Sequence, residues 1–296
     1  MSIADDGRRL YLDLVKACLT DRIYADDPMA NFVFYRPKAA TPAWKRAAIG
    51  ALESFLARYR LRLVELHSVP WDPNYGNASE AEFRERRAQD RHWAVRAMTM
   101  LGQKRMDNIQ DCVESVLRDG IPGDLIETGV WRGGACILMR AILKAYGDET
   151  RTVWLADSFE GLPPPDDATY PADRGDRHHD WSDYFAVSRR EVEENFRHFD
   201  LLDRQVRFLE GWFKDTLPGA PIERLAVMRL DGDMYEATMQ AFEGLYDKLS
   251  VGGYVIVDDY YLPPCAKAVH DFRDARGITD EIRDIDGRGC FWRRTS

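Results

Sequence analysis

Apolar residues follow two different periods along this chain. Residues 10–19 read Leu-Tyr-Leu-Asp-Leu-Val-Lys-Ala-Cys-Leu, which predicts an amphipathic helix with Leu10, Leu14 and Cys18 on one face and Tyr11 and Val15 beside them. Residues 24–42 hold Tyr24, Phe32, Phe34, Tyr35, several prolines and an Asp-Asp-Pro turn, the pattern of an irregular arm with short extended pieces. Helical spacing returns over residues 43–62 through Ala48, Leu52, Phe55, Leu56 and Tyr59. Residues 68–77 are punctuated like a loop, and residues 80–91 are charged on nearly every side, as a solvated helix or a mobile insert is. A long helical pattern over residues 92–117, broken near Gly102, carries Trp93, Met98, Met100 and Leu101, then Ile109, Cys112, Val113, Val116 and Leu117.

From residue 124 the periods alternate. Strand signals at 124–129, 152–157, 206–210, 225–231 and 253–258 are separated by helical ones ending near 146 and covering 188–199, 235–249 and 265–276. Such alternation predicts an α/β fold with a mostly parallel sheet covered on both faces. Two closing strands, near 281–284 and 289–293, are expected to form an antiparallel edge pair about the Asp286-Gly287 turn. The expected division is a helical N-terminal extension and arm over residues 1–119 and a Rossmann-like domain over 120–296.

Composition narrows the partners. The net charge of -9 and pI near 5.3 offer no field for a phosphate backbone, so a small molecule is expected rather than nucleic acid. No apolar run is long enough for a bilayer, and the start MSIADDGRRLYLDL lacks the basic and apolar regions of a secretory signal, so a cytoplasmic protein without membrane contact is expected. Five scattered cysteines, none in a Cys-x-x-Cys pair, argue against a disulfide framework and against structural zinc.

Candidate chemistry lies at the strand ends. In Asp124-Leu-Ile-Glu-Thr-Gly-Val-Trp-Arg-Gly-Gly-Ala135 a buried strand leads to Glu127, a tight turn at Gly129, and a helix start at Gly133-Gly134 where backbone can approach a ligand. The glycine spacing is not the dinucleotide fingerprint, and a carboxylate there suits the ammonium of S-adenosylmethionine better than a pyrophosphate. Asp157 ends the second strand where doubly wound folds place an acceptor for ribose hydroxyls. Trp212, after the third strand, could stack on adenine or belong to the core. Asp231 ends the fourth strand and Asp258-Asp259 the fifth, so three carboxylates should converge at one rim. All-oxygen ligands point to Mg²⁺ among them, whereas the bland alternative makes them caps and turn residues. Residues 161–185, beyond the second strand, are too long for an ordinary connection and read as a lid or as a disordered polar insert. His178 and His179 within it are base or substrate contacts, or simply solvated.

Five stretches carry a family likeness: the turn above, Ala-Asp-Ser-Phe-Glu-Gly-Leu-Pro, Gly-Trp-Phe-Lys-Asp-Thr-Leu-Pro, Leu-Asp-Gly-Asp-Met-Tyr and Gly-Gly-Tyr-Val-Ile-Val-Asp-Asp-Tyr. Together with residues 99–108 they resemble the macrocin O-methyltransferase family of antibiotic-tailoring enzymes. The resemblance implies a class I methyltransferase fold with an antiparallel C-terminal strand, S-adenosylmethionine as donor, Mg²⁺, a sugar hydroxyl on a glycosylated natural product as acceptor, and a homo-oligomer. It also implies Asp231, Asp258 and Asp259 as metal ligands, with Asp231 as the base. Glu127, Gly129, Asp157 and Ser158 would hold the donor, with Trp212, Thr99 and Met100 as further contacts. Residues 70–91 look unfamiliar. Competing readings are an O-methyltransferase of a catechol-like diol, a nicotinamide-dependent oxidoreductase, and a non-catalytic nucleoside-binding module.

Overall fold

The computed structural model describes residues 3–23, 32–34, 42–58, 64–66 and 96–296. Segment 70–91, the aromatics Tyr24, Tyr35, Tyr59 and Trp93, and the rest of the arm beyond Phe32–Phe34 lie outside them.

A seven-stranded sheet has the order β5-β4-β3-β6-β7-β9-β8. Its strands are β3 (Asp124–Thr128), β4 (Val153–Asp157), β5 (Val206–Glu210), β6 (Leu225–Leu230), β7 (Leu249–Val257), β8 (Arg283–Asp284) and β9 (Cys290–Arg293). The first five in spatial order are parallel, and β9 runs antiparallel to both β7 and β8. Two short strands near the N-terminus, β1 (Phe32–Phe34) and β2 (Val64–Leu66), pair separately.

Alternation along the strands assigns side chains to two cores. Leu125, Val153, Leu155 and Val227 enter one cluster, and Ile126, Trp154, Ala156 and Met228 enter the other, because successive strand residues face opposite sides of a sheet. The first face is covered by α1 (Ile3–Leu19), α3 (Gln103–Arg118), α4 (Gly134–Tyr146) and α6 (Arg189–His198), the second by α8 (Tyr235–Leu245) and α9 (Pro263–Arg276). There Phe242 of α8 stacks on Phe272 of α9 at 4.5 Å. Helix α4 is buried on almost every side. It is apolar all round, as a helix enclosed between a sheet and other helices must be. No helix of the described residues is long and apolar enough to cross a membrane.

Three expectations need correction. Helix α1 buries Leu12, Val15 and Leu19, while Leu10 is 66% and Leu14 57% exposed. Both faces of that helix are apolar, so periodicity alone could not choose, and α4 packs on the Leu12 side. Residues 96–102 are not helical; Gly102 is the N-cap of α3. Thr99 and Met100 therefore sit on an extended approach to the helix. Finally, Gly133 and Gly134 make room for the protein's own chain. A Cβ on Gly134 would lie 2.4 Å from the Met98 carbonyl oxygen, which accepts the Gly134 amide at 2.9 Å.

Helix α2 (Ala43–Ala57) forms as expected, with Leu52 and Phe55 exposed. The β8–β9 turn with Gly287 in the left-handed region also forms as expected.

The sequence leaves β3 toward β4 and β5 on one side, then returns across to β6 and β7 on the other. Ligands in open α/β sheets bind beyond the strand ends at such a reversal. Gly129 sets the spacing there, with φ +80 and a hypothetical Cβ 1.7 Å from the Asp231 carbonyl oxygen. Gly129→Ala is expected to destabilise the fold by more than about 1 kcal/mol, since alanine must take a strained conformation and push the two loops apart. Urea denaturation measures this, and a parent-like midpoint would contradict the close approach.

Candidate active site

One cavity of about 1030 Å³ opens at the reversal point, and ten of the sequence-predicted site residues line it: Thr99, Met100, Glu127, Gly129, Asp157, Ser158, Trp212, Asp231, Asp258 and Asp259. The topology explains the convergence, because β3, β4, β6 and β7 all end at this rim.

On the wall formed by the β3 and β4 ends, Asp157 Oδ2 accepts the Val130 amide and Oδ1 the Phe159 amide, both at 2.7 Å. These bonds hold two tight turns whose Trp131 and Phe159 have positive φ, and each carboxylate oxygen keeps a further lone pair for a hydroxyl. Burial raises the Asp157 carboxyl, against the pull of those amides. Ser158 accepts the Glu160 amide and donates to the Gly161 carbonyl at 3.0 Å. Thr99 is buried, and its hydroxyl accepts the Leu101 amide. Trp212 is half-buried at the N-cap of a short helix, α7 (Phe213–Thr216).

Sequence reasoning missed the centre of the site, Arg229. Its side chain is 1% exposed, and its guanidinium donates to Glu127, to Asp258 and, at 2.8 Å, to Asp231. Strand register forces the first pairing, since Glu127 on β3 sits opposite Arg229 on β6. Arg105, near the start of α3, is a second buried cation, bonded to Asp258 and 3.0 Å from Asp286 in the β8–β9 turn. The available signal was a lone arginine inside the apolar run Leu-Ala-Val-Met-Arg-Leu. Such a residue in a fully buried strand requires a buried anion.

Asp231, Asp258 and Asp259 each offer an oxygen within 4.8 Å of the others'. Asp233, which the sequence reading passed over, joins them: it has φ 56, and its amide donates to Asp259 Oδ2 at 3.0 Å. Capping does not explain the pair at 258–259, because the N-cap of α9 is Leu262 and receives no side-chain bond. Burial pushes Glu127 up to about 7, with Arg229 opposing it. Burial and then the Asp231 charge push Asp233 up to about 7. Asp259 is raised well above the usual carboxylate range by burial and then by Asp233 and Asp231, and Asp231 is raised by burial against the pull of Arg229. Asp258 goes the other way. Burial raises it, but Arg105 and Arg229 together pull it below its ordinary value. Carboxylates therefore outnumber the buried arginines, and the surplus, made of oxygen ligands alone, fits a divalent hard cation.

Segment 161–185 is a folded strap across the cavity. Short turns at Pro171–Asp173 and His178–Trp181 lead into α5 (Ser182–Phe185). Ser182 donates to the Leu162 carbonyl at 2.6 Å, and the Trp131 indole reaches the Tyr184 carbonyl at 3.4 Å. His178 lines the cavity with its Nδ1 2.6 Å from Asp176. Burial lowers its pKa, but Asp233 and Asp176 outweigh that and leave it raised. His179 does not line the cavity.

Arg229→Met should cost about 3–5 kcal/mol, the scale for leaving one side of a buried ion pair unpaired. The loss should be larger at pH 8 than at pH 6. Below about 7, Glu127 is protonated in parent and variant alike; above it, only the parent can ionise this group against Arg229. Denaturant midpoints at the two pH values check both the size and the sign.

Residues 8–294 match the macrocin-O-methyltransferase (TylF) family. The chain is 47% identical over 294 residues to the 8-demethyl-8-(2,3-dimethoxy-alpha-L-rhamnosyl)-tetracenomycin-C 4'-O-methyltransferase of Streptomyces olivaceus, covering 99% of this chain and 96% of that one. It is 53% identical over 223 residues to the demethyldecarbamoylnovobiocin O-methyltransferase of Streptomyces niveus, covering 75% and 85%. The solved structure of the O-methyltransferase NovP superposes with a TM-score of 0.77 at 44% identity, covering 98% of this chain and all of that one. The fold, the cavity and these matches agree: the chain belongs to the macrocin O-methyltransferase family, S-adenosylmethionine-dependent O-methyltransferases of the class I fold.

Proposed function

We propose that this chain methylates a hydroxyl of a sugar already joined to a natural product, with Mg²⁺ held by Asp231, Asp258 and Asp259. The observation that carries this reading is the meeting of the acid trio with the Asp157 wall in one cavity. Its volume lies at the upper end of the roughly 300–1,000 Å³ usual for ligand pockets, which leaves room for donor and acceptor together. The Streptomyces olivaceus relative, by its name, acts on a rhamnosyl tetracenomycin. Charge favours a neutral glycoside over a sugar diphosphate as acceptor. Away from the donor wall, Asp166, Asp233, Glu236 and Asp259 line the cavity against Lys214 and Arg288, a balance that repels a phosphate.

Each residue then has a task. Asp157 accepts the ribose hydroxyls, and Glu127, fixed by Arg229, faces the donor's ammonium. Gly129, Ser158, Thr99, Met100 and Trp212 form the remaining donor wall. Mg²⁺ supplies Lewis-acid polarisation that makes a sugar hydroxyl more acidic. The oxygen–carbon bond forms as the sulfur–carbon bond breaks, and the hydroxyl proton passes to a carboxylate. Two acids of the β6–α8 loop could take it. Asp231 has its carboxylate engaged by Arg229 at 2.8 Å, so the geometry favours it as a metal ligand and Asp233 as the base.

Labelled methyl transfer tests the reading on a panel of glycosides, their aglycones, catechols and nucleotide sugars. Label should enter the glycosides, disappear with EDTA and return with Mg²⁺; methylated catechols would favour the other acceptor class, and indifference to EDTA would remove the metal. Asp233→Asn should lower turnover by about 10²–10⁴-fold, the usual range for a general base, and leave Mg²⁺ affinity intact. Asp231→Asn should lose both.

Protons should compete with the metal. Asp259 is raised well above the usual carboxylate range and binds a cation only when ionised. Mg²⁺ affinity is therefore expected to rise with pH above the usual carboxylate range, with proton release seen as a buffer-dependent binding enthalpy in calorimetry. Binding with no proton release would remove Asp259 as a ligand.

A further inference from the structure

Helix α8 begins immediately after the loop that carries Asp231 and Asp233, and it lacks a cap of its own. Its N-cap is Met234, which gives no side-chain hydrogen bond. The cap comes from the strap instead. Asp173 Oδ1 accepts the Tyr235 amide at 2.7 Å and Oδ2 the Glu236 amide at 2.9 Å. Although it lies in a long polar excursion, Asp173 is 0% exposed, and the Tyr170 ring packs 6.2 Å from that of Tyr235 beside it. One carboxylate thus satisfies two of the four amides that a helix start leaves free and meets the positive end of the helix dipole.

The loop between β6 and α8 is short and pinned at both ends. At the sheet end the Asp231 amide donates to the Thr128 carbonyl at 2.9 Å; at the helix end the fixed point is the Asp173 carboxylate. Between them Asp233 holds a left-handed conformation, which a non-glycine residue keeps only under outside constraint. From this geometry we infer that Asp173 is a positioning residue: seating of the strap, through its double bond to the start of α8, sets the loop that presents Asp231 and Asp233. The same turn leads to Asp176 and His178, which face that loop from above. Strap and loop form one unit. Asp157 on β4 takes its own bonds from the Val130 and Phe159 amides.

This inference rests on the functional reading above for its activity and Mg²⁺ arms, and on geometry alone for its exchange arm. Asp173→Ala in the full chain should lower kcat by roughly tenfold or more, the scale of a misplaced catalytic group. Donor KM and S-adenosylhomocysteine affinity should change much less than kcat, because the Asp157 carboxylate is held by the Val130 and Phe159 amides and not by the strap's Asp173. Mg²⁺ affinity should fall, because one of its acids sits on the loosened loop. Asp173→Asn keeps acceptor capacity for one of the two amides and should fall between parent and alanine variant in kcat and Mg²⁺ affinity; it also serves if the alanine variant does not fold. Hydrogen exchange supplies a readout independent of turnover, with faster exchange expected across residues 231–236 and none of that change across 124–157. An unchanged kcat and unchanged exchange in the alanine variant would overturn the assignment. So would a parallel loss of kcat and S-adenosylhomocysteine affinity, which marks general loosening. If the parent transfers no methyl group while exchange responds as stated, the functional reading fails and the role of Asp173 stands.

Discussion

A buried guanidinium needs anions, and buried carboxylates need cations. Arg229 answers both requirements at the reversal point of the sheet, where it reaches Glu127 on β3 and Asp231 and Asp258 at the ends of β6 and β7. Without it, Glu127 and Asp231 would carry a desolvation cost with no buried cation to offset it, and Asp258 would be left with Arg105 alone. Its place in the middle of β6 is equally demanding. Register opposite Glu127 fixes one end of the network, and the Asp258 amide, bonded to the Leu230 carbonyl at 2.9 Å, extends the β6–β7 ladder to fix the other. The sheet is thus the instrument that converts positions in sequence into a defined spacing of charge.

The network is deliberately incomplete. Arg105 and Arg229 together pull Asp258 below its ordinary value, while burial and then neighbouring carboxylates raise Asp233 and Asp259. A site that neutralised all its acids internally would have no affinity left for a metal or for a proton leaving a hydroxyl. One that neutralised none would not fold around them. The split between a satisfied half and an unsatisfied half separates scaffold from chemistry within a few ångströms.

Much of this was legible in the chain. Two periods of hydrophobicity gave the parallel sheet and its helices, and strand-end acids gave the converging carboxylates, because both signals are local. What could not be read depends on which strand lies beside which. Arg229 appears as one charged residue in an apolar run until β6 is placed against β3. Glu127 likewise looked like a free partner for an ammonium, and its bond to Arg229 appears only with the register. Leu10 and Leu14 looked like the inner face of α1 because that helix has apolar residues on two sides, and only α4 decides between them. Gly133-Gly134 reads as an approach for a ligand, whereas the atoms closest to Gly133 belong to Val192 and Phe196 and those closest to Gly134 to Met98 and Thr99.

That last contact explains why residues before the sheet belong to the site. The turn after β3 admits residues 98–99 only because position 134 lacks a Cβ, and Arg132 then ties the Ala97 carbonyl at 2.8 Å from the same turn. The approach to α3 is held against the turn after β3, and α3 carries Arg105 to Asp258 on the far side of Arg229. A single stretch, residues 97–105, therefore runs along the cavity from the β3 turn to its acids. Placed before the first strand of the sheet, it reaches both halves of the site without crossing the loops of either, which is how a segment preceding an open sheet can close the crevice that the sheet's own topology leaves.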